Sequence, residues 1–123
     1  MAEKDLAGVL YNRGTRNAKT GNLPQAIEDF TKAIEIKPED IMAYNNRGSA
    51  YAQQGDYIQA ISDFTKAISI NSNDPVAYHN RAVSYYCLKQ YDMAWVDVNM
   101  VKEIGATVNP EVIKMLKEAD KDS

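Results

Sequence analysis

Hydrophobic and polar positions along this chain are written nearly twice at an offset of 34 residues, and a third, fainter copy follows. Ala7 to Asp40 laid over Ile41 to Asp74 is identical at 16 of 34 positions. The strongest stretch, Ala26-Ile27-Glu28-Asp29-Phe30-Thr31-Lys32-Ala33-Ile34, returns as Ala60-Ile61-Ser62-Asp63-Phe64-Thr65-Lys66-Ala67-Ile68. The third copy, Pro75 to Val108, keeps Asn80, Arg81, Tyr85, Ala94, Asp97 and Ile104, but has Val98 and Val101 where the others have Phe and Ala. A period of this length denotes stacked two-helix units that bury a core only between neighbours, and terminal units drift because one neighbour is missing or different.

Each copy changes pattern near its midpoint at a turn: Gly21-Asn22, Gly55-Asp56 and Lys89-Gln90. Asn22 and Asp56 are good N-cap residues for a second helix, and Pro24 sits just inside that start, where a missing N–H is harmless. First helices are announced by Asp40 before Ile41, Asp74 before Pro75 and Asn109 before Pro110. No segment alternates apolar and polar residues over a strand length, so strands are not expected. After the third copy, Val112, Met115, Leu116 and Ala119 mark one apolar stripe at helical spacing, with Lys114, Lys117, Glu118 and Lys121 between or beyond them. This predicts a helix from about Pro110 to Ala119, within residues 109–121, that covers the last unit and solvates its end.

Small residues recur where paired helices must approach. Gly14, Gly48 and Ala82 share one position of the first helix, and Ala26, Ala60 and Ala94 share one of the second. Glycine inside a helix costs about 1 kcal/mol against alanine, so its repetition argues for a packing reason. Phe30 and Phe64 are expected to fill the space beyond. Ile27, Ile61 and Trp95 should pack against the next unit's first helix, or against the C-terminal helix in the case of Trp95.

Acidic residues outnumber Lys and Arg by 17 to 14, so no field favours a phosphate backbone and nucleic acid is a poor ligand. No apolar run approaches the ~20 residues of a membrane span, so direct membrane insertion is not expected. The charged N-terminus Met1-Ala2-Glu3-Lys4-Asp5 lacks an apolar signal core. One cysteine, Cys87, leaves no internal disulfide and suits a reducing compartment, so a cytoplasmic location is expected.

These residues resemble the tetratricopeptide repeat (TPR), whose pattern is Trp-x2-Leu-Gly-x2-Tyr, then Ala-x3-Phe, then Pro, in 34 residues. The second copy supplies Tyr44, Arg47, Gly48, Tyr51, Ala60 and Phe64, with Ser72 where Pro is usual. The first supplies Leu10, Arg13, Gly14, Ala26, Phe30 and Pro38, with Asn17 replacing Tyr, and the third Tyr78, Arg81, Ala82, Tyr85 and Ala94. The resemblance implies an all-α fold, a right-handed α-solenoid of three antiparallel helix pairs closed by a solvating C-terminal helix. Residues 1–123 would form a single TPR domain with repeats at 7–40, 41–74 and 75–108. It also implies a concave groove that binds peptides or proteins.

Two ladders of polar residues run through the copies. Arg13, Arg47 and Arg81 stand where the family has leucine, and Asp29, Asp63 and Asp97 follow sixteen residues later each time. A half-buried Arg needs a partner, because an unpaired charge in a low dielectric is costly. The structural reading is therefore an Arg–Asp pair in each repeat; a row of ligand-binding arginines is the alternative. Asn12, Asn46 and Asn80 precede the arginines, at a position that in this family faces the groove. A side-chain amide carries donor and acceptor and can pair with both groups of a peptide unit. Three of them resemble the asparagine ladder by which some members hold an extended peptide. The competing reading is that Asn is a common polar residue beside a helix pair.

By the same resemblance the groove would include Tyr11 and Thr15, then Met42, Asn45, Ser49 and Gln53, then Val76, His79, Val83, Tyr86 and Cys87, with Lys114 or Lys117 closing one end. Some members clamp the acidic C-terminal tails of large chaperones with Lys and Asn in the first repeat, Asn in the second, and Lys and Arg in the third. The matching positions here hold Tyr11, Thr15, Asn46, Val76 and Asn80. Without three cations in register, chaperone tails are disfavoured as partners.

Catalysis is not expected. His79 and Cys87 lie eight residues apart on one helix, about 12 Å along its axis, too far for a thiolate–imidazole pair. Metal-ligand spacing and a Gly-rich phosphate loop are absent, so no cofactor or metal is expected. The chain reads as a protein-interaction module or adaptor whose partner is a protein or peptide segment. The alternative is a self-assembling scaffold, a homodimer through end repeats, given the cluster Tyr85, Tyr86, Tyr91 and Trp95.

Overall fold

A computed structural model describes residues 3–122, with side chains from residue 6 to residue 121. Among the described residues seven helices follow one another: α1 (Glu3–Lys19), α2 (Leu23–Ile36), α3 (Ile41–Gln53), α4 (Tyr57–Ile70), α5 (Pro75–Cys87), α6 (Tyr91–Ile104) and α7 (Pro110–Asp122). No strand occurs among the described residues. Helices α1 and α2, α3 and α4, and α5 and α6 form antiparallel pairs, and α2 on α3 and α4 on α5 join the pairs into a right-handed solenoid. Helix α7 packs on α6 and closes the end.

Local chemistry sets the breaks. Asp40, Asp56 and Asp74 accept backbone hydrogen bonds from Ala43, Gln59 and Val76, which satisfies donors that a helix start leaves unpaired. Asn109 accepts from the backbone N–H of Glu111 in the same way. Asn22 occupies the N-cap of α2, yet its side chain makes no cap bond. Pro24, second in that helix, has removed one of the two donors a cap would reach. Gly21 and Gly55 turn the chain with φ of 84° and 83°; the third repeat makes the same turn with Lys89 at φ 62°. That left-handed conformation is natural for glycine and strained for lysine.

The core is built from complementary volumes. A Cβ on Gly14 would lie 2.8 Å from Phe30 Cε1, and one on Gly48 would lie 2.7 Å from Phe64 Cε1. Both rings are buried, as are Ala26, Ala60 and Ala94. In the third repeat Ala82 adds the methyl group, and Val98 occupies the phenylalanine position with a smaller side chain; both are buried. Val112 and Leu116 of α7 complete this last cluster with Tyr78, Val101 and Val108. Trp95 Nε1 donates to Asp120 Oδ2 of α7 at 2.8 Å, so this ring meets the C-terminal helix.

Candidate protein-interaction groove

The three first helices are neighbours, α1 beside α3 and α3 beside α5, and they carry the residues expected in the groove. Asn12, Asn46 and Asn80 stand at equivalent places on them but in different surroundings. The Asn12 side chain is exposed and has no hydrogen-bond partner among the described residues. Asn46 is partly buried and donates through Nδ2 to the Tyr11 hydroxyl at 2.8 Å. Asn80 Oδ1 lies 3.4 Å from His79 Nδ1.

Neighbouring positions differ too. Asn45 Nδ2 donates to the Asp74 carboxylate at 2.9 Å, tying α3 to the start of α5, while its Oδ1 is buried without a hydrogen-bond partner among the described residues. Thr15 turns its hydroxyl back to the Tyr11 carbonyl oxygen. Met42 and Val76, each one helical turn before a ladder asparagine, are 59% and 56% exposed. An open pocket of about 440 Å³ beside Val76 and His79 is also lined by Ala106, Val108 and Pro110. Ser49, Val83 and Tyr86 are partly buried, whereas Gln53, Cys87, Lys114 and Lys117 are exposed. Tyr86 rests against Tyr91 with ring centroids 5.7 Å apart. Tyr85, Tyr86, Tyr91 and Trp95 are all partly buried against the third-repeat core.

Beneath this face runs a layer of charge. Arg47 grips Asp63 through Nε and Nη2 at 2.8 and 2.7 Å, and Arg81 grips Asp97 with the same distances. Arg13 does so with Asp29 at 3.1 and 2.7 Å. Each is a two-point guanidinium–carboxylate pair, the strongest geometry for such ions. Arg47 Nη1 also donates to Thr31 and Arg81 Nη1 to Thr65, which links each repeat to the one before it. Arg47 lies over Tyr44 and Tyr51, and Arg81 over Tyr78 and Tyr85, within 5.9 Å of the ring centres.

At the positions of those tyrosines the first repeat has Leu10 and Asn17, and among the described residues no threonine bonds Arg13. The Arg13 side chain is accordingly 50% exposed, against 18% for Arg47 and 16% for Arg81. Asn17 instead donates to Asp29, as does Gln25. Burial pushes the Asp29 carboxyl up, but the hydrogen bonds from Arg13, Gln25 and Asn17 and the charge of Arg13 hold it below the usual carboxylate range. Sequence reasoning missed the threonines. The signal was present in the recurrence of Thr31 and Thr65, each sixteen residues before the next arginine.

Comparison with known proteins places this architecture. Models described as tetratricopeptide repeat match residues 41–74 and 64–96, and one described as TPR repeat matches 14–55. No curated protein sequence matches the chain. Among solved structures, the first TPR of Spaghetti (RPAP3) bound to HSP90 peptide SRMEEVD is 27% identical with a TM-score of 0.87, over 97% of this chain and 94% of that one. The TPR2B domain of yeast Sti1, in complex with an Hsp70 peptide, is 26% identical with a TM-score of 0.85, over 95% of this chain and 98% of that one. The Arabidopsis OM64 TPR domain is 25% identical with a TM-score of 0.81, over 98% and 96%.

These structures correct one expectation. Chaperone tails were disfavoured above because Tyr11, Val76 and Asn80 stand where the clamp has its cations, yet similar domains are solved with such tails bound. A count of cations is not a sufficient criterion, because SRMEEVD also offers peptide units and the apolar side chains of Met and Val. Among the described residues, no helix is long and apolar enough to cross a membrane. Three matched repeats, seven helices and the Gly–Phe packing between paired helices agree on one assignment: the chain belongs to the tetratricopeptide repeat family.

Proposed function

We propose that this domain is a non-catalytic adaptor that holds an extended segment of a partner protein along α1, α3 and α5. The observation that carries this reading is the recurrence of Asn12, Asn46 and Asn80 at one place on three adjacent helices. A peptide backbone repeats its N–H and C=O groups along its length, and an amide side chain can pair with both at once. Exposed Met42 and Val76 flank the ladder and suit apolar side chains of the ligand. The repeats would span 7–40, 41–74 and 75–108, with 109–121 as the closing helix. The acidic tail carried by the Spaghetti complex belongs to this class of extended ligand. The exposed thiol of Cys87 suits a reducing compartment such as the cytoplasm.

The test is a titration with SRMEEVD and with linear peptides selected on the protein from a random display library. The wild type should bind at least one of them, and the Asn12, Asn46, Asn80 triple alanine variant should bind it more weakly at unchanged helicity. Equal affinity of the two proteins would remove the ladder from the binding function.

A further inference from the structure

Resting on the groove reading above, we infer that Tyr11 is a positioning residue, whose hydroxyl holds the amide of Asn46 in place for the ligand. The two residues lie 35 positions apart and on different helices, yet Asn46 Nδ2 and the Tyr11 oxygen are 2.8 Å from each other. The tyrosine is itself held. Its ring leans on Phe30 at a centroid distance of 5.9 Å, and Phe30 is fully buried in the space that Gly14 leaves open. Core packing of the first repeat therefore fixes the hydroxyl, and the hydroxyl fixes the central rung in the second.

Neither of the other rungs is held this way. Asn12 has no hydrogen-bond partner among the described residues, and Asn80 faces the ring of its own neighbour His79 rather than a residue of the preceding repeat. At the position equivalent to Tyr11, Asn45 is drawn to Asp74 instead of reaching towards Asn80. Asn46 keeps its second N–H and its carbonyl oxygen for a ligand, since an amide offers two donors and an acceptor with two lone pairs. An amide already immobilised loses less freedom on binding, and that difference is worth roughly 3- to 10-fold in affinity. Tyr11 thereby makes the middle rung the strongest of the three.

The experiment measures the affinity of one library-selected peptide for the wild type, Tyr11→Phe, Asn46→Ala and the double variant, with thermal midpoints alongside. Tyr11→Phe keeps the ring on Phe30 and removes only the hydroxyl. It should weaken binding ~3- to 10-fold in the wild-type background and have no further effect once Asn46 is alanine. Undiminished affinity in Tyr11→Phe overturns the inference. So does the same loss in both backgrounds, which would mean that the hydroxyl touches the ligand directly. A merely structural hydroxyl would move the midpoint and leave the affinity of the folded protein unchanged, which also overturns it. If Asn46→Ala itself binds as the wild type does, or no peptide is selected, the groove reading fails and takes this inference with it.

Discussion

The side chain missing from Gly48 is the space that the Phe64 ring occupies: a Cβ there would lie 2.7 Å from Cε1. The same relation joins Gly14 to Phe30, and in the third repeat both members change together, to Ala82 and Val98. Helix pairing in this protein thus depends on a matched pair of volumes rather than on glycine alone. Gly48→Ala should cost about 1–3 kcal/mol, because the ring must move within a packed core. Combining it with Phe64→Val, which copies the third repeat, should cost less than the two single changes added together. Urea denaturation of the four proteins measures the coupling; strict additivity would contradict the volume argument.

The ion pairs are unequal. Arg47 is largely buried between Tyr44 and Tyr51 and bonds both Asp63 and Thr31. Arg47→Ala leaves Asp63 without its cation and should cost about 3 kcal/mol or more. Arg13→Ala should cost less, since the Arg13 side chain is half exposed and Asn17 and Gln25 still serve Asp29. Chemical denaturation of the two variants side by side gives the order, and a larger loss at Arg13 would contradict it.

Asp29 makes stability depend on acid. Its carboxyl is held below the ordinary range in the folded chain, so the unfolded chain binds the proton more readily. Its contribution is complete above the unfolded value of about 3.9 and is lost as pH falls through the lower folded value. The stability difference between the wild type and Asp29→Asn should therefore shrink as pH is lowered from 7 towards 3. A difference independent of pH would contradict the assignment.

Lys89 sits at φ 62° where the other repeats have Gly21 and Gly55. Lys89→Gly should stabilise the domain by roughly 0.5–1 kcal/mol, the relief of a left-handed residue less the entropy glycine adds to the unfolded chain. A thermal midpoint that falls would show the lysine side chain to be making a compensating contact.

What the sequence revealed and what it hid have a common cause. A repeat aligns equivalent positions, so it exposes whatever recurs: Gly48 facing Phe64, Arg47 sixteen residues before Asp63, Asp40 and Asp74 at helix starts. It hides contacts between non-equivalent positions. Tyr11 with Asn46 and Asn45 with Asp74 are such contacts, each made once and with no second copy to mark it. The exposure of Arg13 was hidden for a related reason, because it follows from Leu10 and Asn17 standing where the later repeats have tyrosines. Ligand preference was hidden more deeply. Cations at clamp positions can be counted in a sequence, whereas the shape offered by Met42, Val76 and an amide ladder cannot.

The central claim is that the asparagine ladder binds a partner segment, and Asn46→Ala tests it most directly. Affinity for a selected peptide and the thermal midpoint are measured on the same samples. Loss of a neutral hydrogen bond predicts an affinity weaker by about 1 kcal/mol, or more if a peptide group is left buried without a partner. The midpoint should fall only slightly, because the amide is partly exposed and, among the described residues, its side chain bonds only the Tyr11 hydroxyl. Unchanged affinity together with a clear fall in the midpoint would contradict the account and assign the ladder to the fold.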